Sequence, residues 1–123
     1  MAGEPIRISG DGTAFRSYLC AADLAIWLWT ILFRGEPLRP YNVGSENAVC
    51  IAELAHMVAG ARGPDIEVLV SQARVPGASA ERYVPSTDRA REELRLKQTV
   101  DLQAAIRRTA LWYSQCQAEA GTA

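Results

Sequence analysis

The chain has 123 residues, 49% of them hydrophobic and 22% charged, with a formal net charge of −1. This composition is typical of one soluble globular domain and argues against disorder, and the near-neutral charge does not support a nucleic acid or an anionic membrane as partner. Three widely spaced cysteines (Cys20, Cys50 and Cys116), none in a C-x-x-C pair, and a single histidine, His56, favour reduced thiols over the usual four-ligand zinc site. From this pattern we predict no metal. Because the chain does not open with a signal-peptide pattern, we predict a cytoplasmic protein.

Two short strands joined by a hairpin turn are predicted first. Residues 5–9 alternate apolar and polar side chains, and residues 15–20 are rich in aromatic and extended-type residues. Gly10 and Gly12 lie between them and allow positive φ, which a tight turn needs. The turn would deliver Arg16 to a fixed place on the second strand.

A long apolar helix is predicted next, from about residue 18 to Arg34. Its apolar run of about 16 residues is shorter than the roughly 20 that a bilayer requires, and Asp23 lies within it. Apolar side chains occupy nearly all of its faces. We therefore expect a buried helix with protein on several sides.

A strand over residues 41–44 is predicted to precede a second helix. Ser45 or Asn47 could cap this helix, and Gly60 and the 63–64 Gly-Pro pair would end it. Another strand is predicted over residues 66–70.

Residues 71–85 form the one long irregular segment, a length that is often functional in compact domains. Two helices are predicted after it, over residues 87–94 and 102–115, with Asp101 capping the second. The order β-β-α-β-α-β-loop-α-α predicts an α/β domain with a small, mixed and partly parallel sheet on which the helices pack. Residues 118–123 are predicted to be a frayed tail.

Several catalytic motifs are absent from the sequence. Gly10 and Gly12 lack the third glycine of a dinucleotide-binding turn, because position 15 is Phe. There is no G-x-S-x-G nucleophile elbow. Lys97 is the only lysine and position 93 is Glu, so the Tyr-x-x-x-Lys pair of short-chain dehydrogenases cannot form.

Three arginines are candidate phosphate contacts, since Arg is suited to bidentate binding of phosphate. Arg16 follows the glycine turn, and Arg74 and Arg82 flank the long loop. From the residues alone, each is either a ligand contact or a solvated surface charge. The remaining helical arginines lie among acids and are interpreted as solvated.

Three blocks, in the same order, carry a resemblance to a known family. They are PIRISGDGTAFRSYLCAADLA, RPYNVGSENAVCIAELA and RYVPSTDRAREELRLKQTVDLQAAIRRTALWY. Together they resemble the carboxyl-terminal, substrate-binding half of extended short-chain dehydrogenase/reductases, the NAD-dependent nucleotide-sugar epimerases and dehydratases, and in style dTDP-glucose 4,6-dehydratase most of all. The resemblance implies the substrate-binding lobe of such an enzyme without its Rossmann half.

The resemblance also implies roles for individual residues. Arg16 would contact the diphosphate of a nucleotide sugar, Arg74 would contact it from the other side, and Arg82 and Tyr83 match the end of the same loop. Residues 1–117 would be a nucleotide-sugar-binding domain with no cofactor of its own, NAD being bound by the full-length parent. At Ser9 the sequence departs from the aromatic residue that many relatives place against the nucleotide base.

In the implied family mechanism, NAD oxidises the sugar at C4 before elimination or epimerisation, and hydride then returns. Because such hydride chemistry belongs to the cofactor, we expect this chain alone to bind and orient without turnover. A second interpretation is a non-catalytic interaction module that self-associates as a homo-oligomer through the apolar helix.

Overall fold

A computed structural model describes residues 4–63 and 65–120 of the chain. Within these residues there are five short strands and four helices. In chain order they are β1 (Ile6–Ile8), β2 (Phe15–Arg16), α1 (Ala21–Arg34), β3 (Val49–Cys50), α2 (Ile51–Arg62), β4 (Val68–Val70), β5 (Arg82–Tyr83), α3 (Asp88–Leu94) and α4 (Leu102–Ala120).

The strands form two small sheets. In one, β1 pairs with β4 in parallel, with Ile6 opposite Val68. In the other, β2 lies between β3, which is antiparallel to it, and β5, which is parallel to it. The predicted α/β class with a mixed, partly parallel arrangement is confirmed, although it is divided between two sheets.

The turn between β1 and β2 is not a hairpin, so that prediction was wrong. The Asp11 carboxylate accepts hydrogen bonds from the backbone N–H and the hydroxyl of Thr13, at 3.0 and 2.9 Å, which makes an Asx-type turn. Gly12 has a φ of 75° and its carbonyl accepts a hydrogen bond from Ala52 N–H at 3.0 Å. The turn therefore carries the chain from one sheet to the other and contacts the start of α2.

Helix α1 is buried along one side only. Trp27 is 2% exposed and forms the main core with Ala90, Leu94 and Leu96 of the α3 region. Its indole N–H donates to the Lys97 carbonyl at 3.3 Å. Large apolar side chains on the other sides of α1 are exposed, namely Leu24, Ile26, Leu28, Trp29, Leu32 and Phe33.

Asp23, in the first turn of α1, is only 1% exposed. Its carboxylate accepts hydrogen bonds from the Thr99 and Val100 backbone N–H groups, both at 3.0 Å, and from the Thr99 hydroxyl. Burial by itself would raise the pKa of Asp23, but these hydrogen bonds outweigh it and lower the pKa. Asp23 thereby ties α1 to the segment before α4.

The second helix begins later than predicted. Cys50 is its N-cap: the thiol accepts a hydrogen bond from Glu53 N–H at 3.4 Å, and the Glu53 carboxylate accepts one from Cys50 N–H at 3.0 Å. Ser45 is instead buried, with its hydroxyl donating to Gln98 Oε1 at 2.7 Å. The predicted cap at Ser45 or Asn47 was therefore wrong.

The predicted strand over residues 41–44 was also wrong, because this segment is irregular and the strand before α2 is β3. Gly60 lies inside α2, and Gly63 follows its last residue. Pro64 lies outside the described residues.

Helices α3 and α4 occur where the sequence predicted them. Asp101 accepts a hydrogen bond from Ala104 N–H at 2.7 Å and so caps α4, as expected. The helix continues to Ala120, and residues 121–123 of the predicted tail lie outside the described residues. The division of the chain at residue 117 stays a prediction.

Candidate functional site

Strands β2 and β5 bring two of the four predicted site residues together. Their register pairs Arg16 with Tyr83 and Phe15 with Arg82. Because successive side chains of a strand point to opposite faces, Arg16 and Tyr83 share one face of the sheet and Phe15 and Arg82 share the other. The Arg82 guanidinium accordingly lies over the Phe15 ring, 5.5 Å from its centroid.

The Arg16 guanidinium is held by two hydrogen bonds. Nη1 donates to the carbonyl of Phe15 at 2.8 Å, and Nη2 donates to Oε2 of Glu81 at 2.9 Å. The side chain of Arg16 is 30% exposed and that of Glu81 is 72% exposed. Arg16 is thus oriented by the backbone on one side and paired with a largely solvated carboxylate on the other.

A cavity of about 200 Å³ lies beside Arg16. It is lined by Arg16, Ser17, Asn42, Val43, Gly44, Tyr83 and Pro85. Ligand pockets commonly measure about 300–1,000 Å³, so this one would enclose only part of a nucleotide-sized molecule. Its guanidinium, hydroxyl and carboxamide groups suit phosphate and hydroxyl groups of a ligand.

Asn42 is fixed at the wall of this cavity. Its Nδ2 donates to the carbonyl of Ser86 at 2.9 Å, which leaves the carboxamide oxygen as an acceptor. Tyr83 is mostly exposed. The cavity therefore combines one anchored amide with a more accessible phenol.

Arg74 lies elsewhere, in the exposed segment that follows β4. The hydrogen bonds from the backbone and hydroxyl of Thr13 lower the pKa of Asp11, and the positive charge of Arg74 lowers it further. The positive charge of Arg74 thus acts on the carboxylate of the Asx-type turn. Neither it nor Arg82 is among the described residues that line the cavity beside Arg16.

The arginines of α3 interact with the protein's own groups. Arg91 forms ion pairs with Asp88 and with Glu46, and Arg89 donates to the carbonyl of Pro40 at 2.7 Å. The backbone N–H and hydroxyl of Thr87 lower the pKa of Glu46, with Arg91 adding to the effect. These exposed contacts join the 40–46 segment to α3.

His56 is an exposed residue of α2, as predicted.

Three site features were missed in the sequence. Ser17 and Asn42 line the cavity, and Glu81 pairs with Arg16. The sequence shows a polar residue directly after Arg16 and an acidic residue directly before Arg82, but it does not show that these two positions are close in space. Only the pairing of β2 with β5 shows that.

Comparisons with known proteins relate the chain to individual enzymes that act on nucleotide sugars. No model of a known protein family matches the chain. It is 28% identical over 115 residues to a trifunctional UDP-glucose 4,6-dehydratase/epimerase/reductase of Arabidopsis thaliana, covering 94% of this chain and 17% of that protein. It is 33% identical over 117 residues to a dTDP-4-dehydro-6-deoxy-D-allose reductase of a Streptomyces species, covering 91% of this chain and 33% of that protein.

Among solved structures, the Bordetella bronchiseptica enzyme WbmF in complex with NADH matches with a TM-score of 0.79 and 26% identity, over 93% of this chain and 33% of that chain. The chain is related to the carboxyl-terminal part of the extended short-chain dehydrogenase/reductases. A further structure of WbmF holds NAD+ and UDP.

The chain spans about a third or less of the length of these relatives. Its two small sheets and four helices correspond to the carboxyl-terminal portion of their fold. Across residues 4–63 and 65–120, no helix has the length and apolar character needed to cross a membrane.

Proposed function

We propose that this chain is the nucleotide-sugar-binding portion of an NAD-dependent 4,6-dehydratase or epimerase, and that Arg16 contacts the diphosphate of the substrate. The observation that carries the proposal is the position of Arg16: a partly exposed guanidinium, oriented by the Phe15 carbonyl, at a cavity that Tyr83 also lines. The relation to enzymes of nucleotide sugars supplies the class of ligand.

The chemistry of the site fits binding better than turnover. A guanidinium forms charge-assisted, bidentate hydrogen bonds to phosphate oxygens, and the phenol of Tyr83 and the amide of Asn42 can bond to further oxygens. Hydride transfer would depend on NAD and on catalytic groups in the remainder of such an enzyme. We therefore propose that this chain binds and orients the substrate but does not transform it.

The other proposed contacts of the diphosphate differ in their position relative to Arg16. They are Arg74, Arg82 and Tyr83. Tyr83 shares the Arg16 face, whereas Arg82 stacks on Phe15 at the opposite face. Arg74 lies in the segment before β5, and its positive charge acts on Asp11. For Arg74 to reach the same diphosphate as Arg16, the exposed 71–81 segment would have to fold over the ligand, and Arg82 would have to leave its stack on Phe15.

The test is titration with UDP, dTDP and UDP-glucose, followed by amide chemical shifts of the isotope-labelled chain. We expect shifts to concentrate at β2, β5 and residues 42–44, and Arg16→Gln to weaken binding about tenfold, which corresponds to loss of one charge-assisted contact. Arg107→Gln, at an exposed position of α4, is the matched control and should bind as the wild type does. Equal affinity of the two variants, or no shifts with millimolar ligand, would contradict the proposal.

A second candidate function is favoured by the exposed side of α1. The Trp29 and Phe33 rings stack there with centroids 5.6 Å apart and planes within 7°, beside exposed Ile26 and Leu32. A contiguous apolar surface of this kind favours association with another protein surface. We propose self-association of the chain through this face as the alternative to ligand binding.

Sedimentation of the wild type and of Leu32→Glu across a concentration series tests this alternative. The wild type should sediment as an oligomer whose mass falls on dilution, and Leu32→Glu should be monomeric because it places a charge in the apolar contact. A wild-type monomer at all concentrations would rule out self-association and would leave the ligand-binding proposal intact.

A further inference from the structure

Glu81 is placed beside Arg16 by the backbone. Its carbonyl accepts a hydrogen bond from Phe15 N–H at 2.7 Å, immediately before the β2–β5 pairing begins. The residue is therefore held at the end of the sheet, within reach of the Arg16 side chain. Its position does not depend on the ion pair that its carboxylate forms.

The carboxylate of Glu81 accepts one hydrogen bond from Arg16 Nη2, the nitrogen that belongs to both edges that can bind phosphate. A guanidinium offers two edges for bidentate contacts, Nη1 with Nη2 and Nε with Nη2, and both include Nη2. Nη2 donates to Glu81 Oε2 at 2.9 Å, while Nη1 donates to the Phe15 carbonyl. Because Nη2 carries two N–H groups, one on each edge, a bidentate phosphate must displace Glu81 from the edge that it occupies, and on the other edge it binds beside the negative charge of Glu81.

The ion pair is of a kind that breaks easily. The Glu81 side chain is 72% exposed, and ion pairs in such solvated positions are weak and screened by salt. Asp23, by contrast, is a buried carboxylate held by three hydrogen bonds. The Arg16–Glu81 pair is thus suited to exchange for a ligand and contributes little to holding the sheet together.

We propose that Glu81 is a specificity-determining residue, an internal anion that competes with the diphosphate for Arg16 Nη2 and so selects ligands of high negative charge. The inference rests on the proposed function of Arg16. An anion with one charge and one contact gains little by displacing the carboxylate. A diphosphate brings more charge and more acceptor oxygens, and it displaces Glu81 from Nη2.

The test compares the wild type with Glu81→Gln, which keeps the length of the side chain and removes its charge. The probes are inorganic pyrophosphate, UDP and acetate, and the readouts are the Arg16 Nε–H resonance and the dissociation constant of each probe. Glu81→Gln should shift the Arg16 resonance without any probe, bind pyrophosphate and UDP about two- to fivefold more tightly, and gain measurable acetate binding. Glu92→Gln removes the same charge from an exposed position of α3 and should change neither readout.

The failures are distinguishable. If Arg16→Gln weakens UDP binding while Glu81→Gln leaves affinity unchanged or lowers it, the competition is overturned and the proposed function stands. If Arg16→Gln has no effect on UDP binding, or if neither the wild type nor Glu81→Gln binds pyrophosphate or UDP at millimolar concentration, both are overturned. Equal tightening by Glu81→Gln and Glu92→Gln would overturn the competition as well, because net charge alone would then explain it.

Discussion

Asp23 and Arg16 are charged residues only a few positions apart in sequence, yet they differ in burial and in the groups that bind their charges. Asp23 is 1% exposed and accepts three hydrogen bonds from Thr99 and Val100. Arg16 is 30% exposed, and the carboxylate with which it pairs, Glu81, is mostly in solvent. A buried charge must be satisfied by the protein itself, whereas a charge at the surface can exchange its partner for a ligand. The first arrangement stabilises the fold, and the second is available for binding.

The largest effect is expected from breaking the core beside Asp23. Trp27→Ala removes a side chain that is 2% exposed and packs against Ala90, Leu94 and Leu96. We expect a loss of about 3–5 kcal/mol in the free energy of unfolding, measured by urea denaturation. Trp112→Ala is the control, since Trp112 is 63% exposed and its loss should cost less than about 1 kcal/mol. Equal losses would place the core elsewhere.

Next comes the buried charge itself. Asp23→Asn keeps the size of the side chain but weakens the acceptors for the Thr99 and Val100 N–H groups. We expect a loss of about 2 kcal/mol at pH 7, since hydrogen bonds to charged groups contribute about 1.5–3 kcal/mol. UDP affinity should not change, because Asp23 is not among the described residues that line the cavity beside Arg16.

The same residue predicts a dependence on pH. Folding lowers the pKa of Asp23, so its carboxylate stabilises the protein above its unfolded pKa of about 3.9, and this contribution is lost as the pH falls through the lower folded value. The difference in unfolding free energy between the wild type and Asp23→Asn should therefore be constant near neutral pH and shrink below about pH 4. A difference that grows on acidification would contradict the lowered pKa.

A smaller effect is expected at the turn that joins the two sheets. Gly12→Ala must place a side chain at a φ of 75° with its Cβ 3.0 Å from Ala52 Cβ, and we expect a loss of about 2 kcal/mol. Gly77→Ala has a φ of 81° but no heavy atom within 4 Å of its Cβ, so about 1 kcal/mol is expected. Thermal unfolding of both variants gives the two losses of stability. Their difference measures the cost of the steric contact between the new Cβ at position 12 and Ala52.

The smallest effect is expected from a substitution of Arg82, which lies on the opposite face of the β2–β5 sheet from Arg16. Because Arg82 stacks on Phe15 and faces away from Arg16, Arg82→Gln should weaken UDP binding less than about threefold, against about tenfold for Arg16→Gln. Isothermal titration calorimetry on the two variants gives the ratio. A larger loss for Arg82→Gln would mean that this arginine leaves its stack on Phe15 and contacts the ligand.

Local patterns in the sequence predicted much of the fold. The apolar run through Trp27, the cap at Asp101 and the strand at Val68–Val70 lie where periodicity and capping rules placed them. The start of α2 was missed because Cys50 is an unusual cap and Ser45, a common one, is used in a buried contact with Gln98. The hairpin at Gly10–Gly12 was wrong because a glycine turn does not specify which strands pair.

Part of the candidate site was also predicted from the sequence, and part of it was missed. Arg16 and Tyr83 were identified by their resemblance to a family motif, and their common face follows from a register between strands distant in sequence. Glu81, Ser17 and Asn42 carry no local signal of function. They become part of the site only through contacts that the fold creates.

By itself, the sequence determined the α/β class, the apolar character of α1 and the absence of a Tyr-x-x-x-Lys pair, since these depend on residue types and their local spacing. Tertiary structure alone decided that Thr99 and Val100 donate hydrogen bonds to the buried Asp23, and that Arg16 lines a cavity and pairs with the exposed Glu81. The reason is physical: burial and partnership of a charge depend on which distant segments pack beside it, and those contacts form only when the whole chain folds.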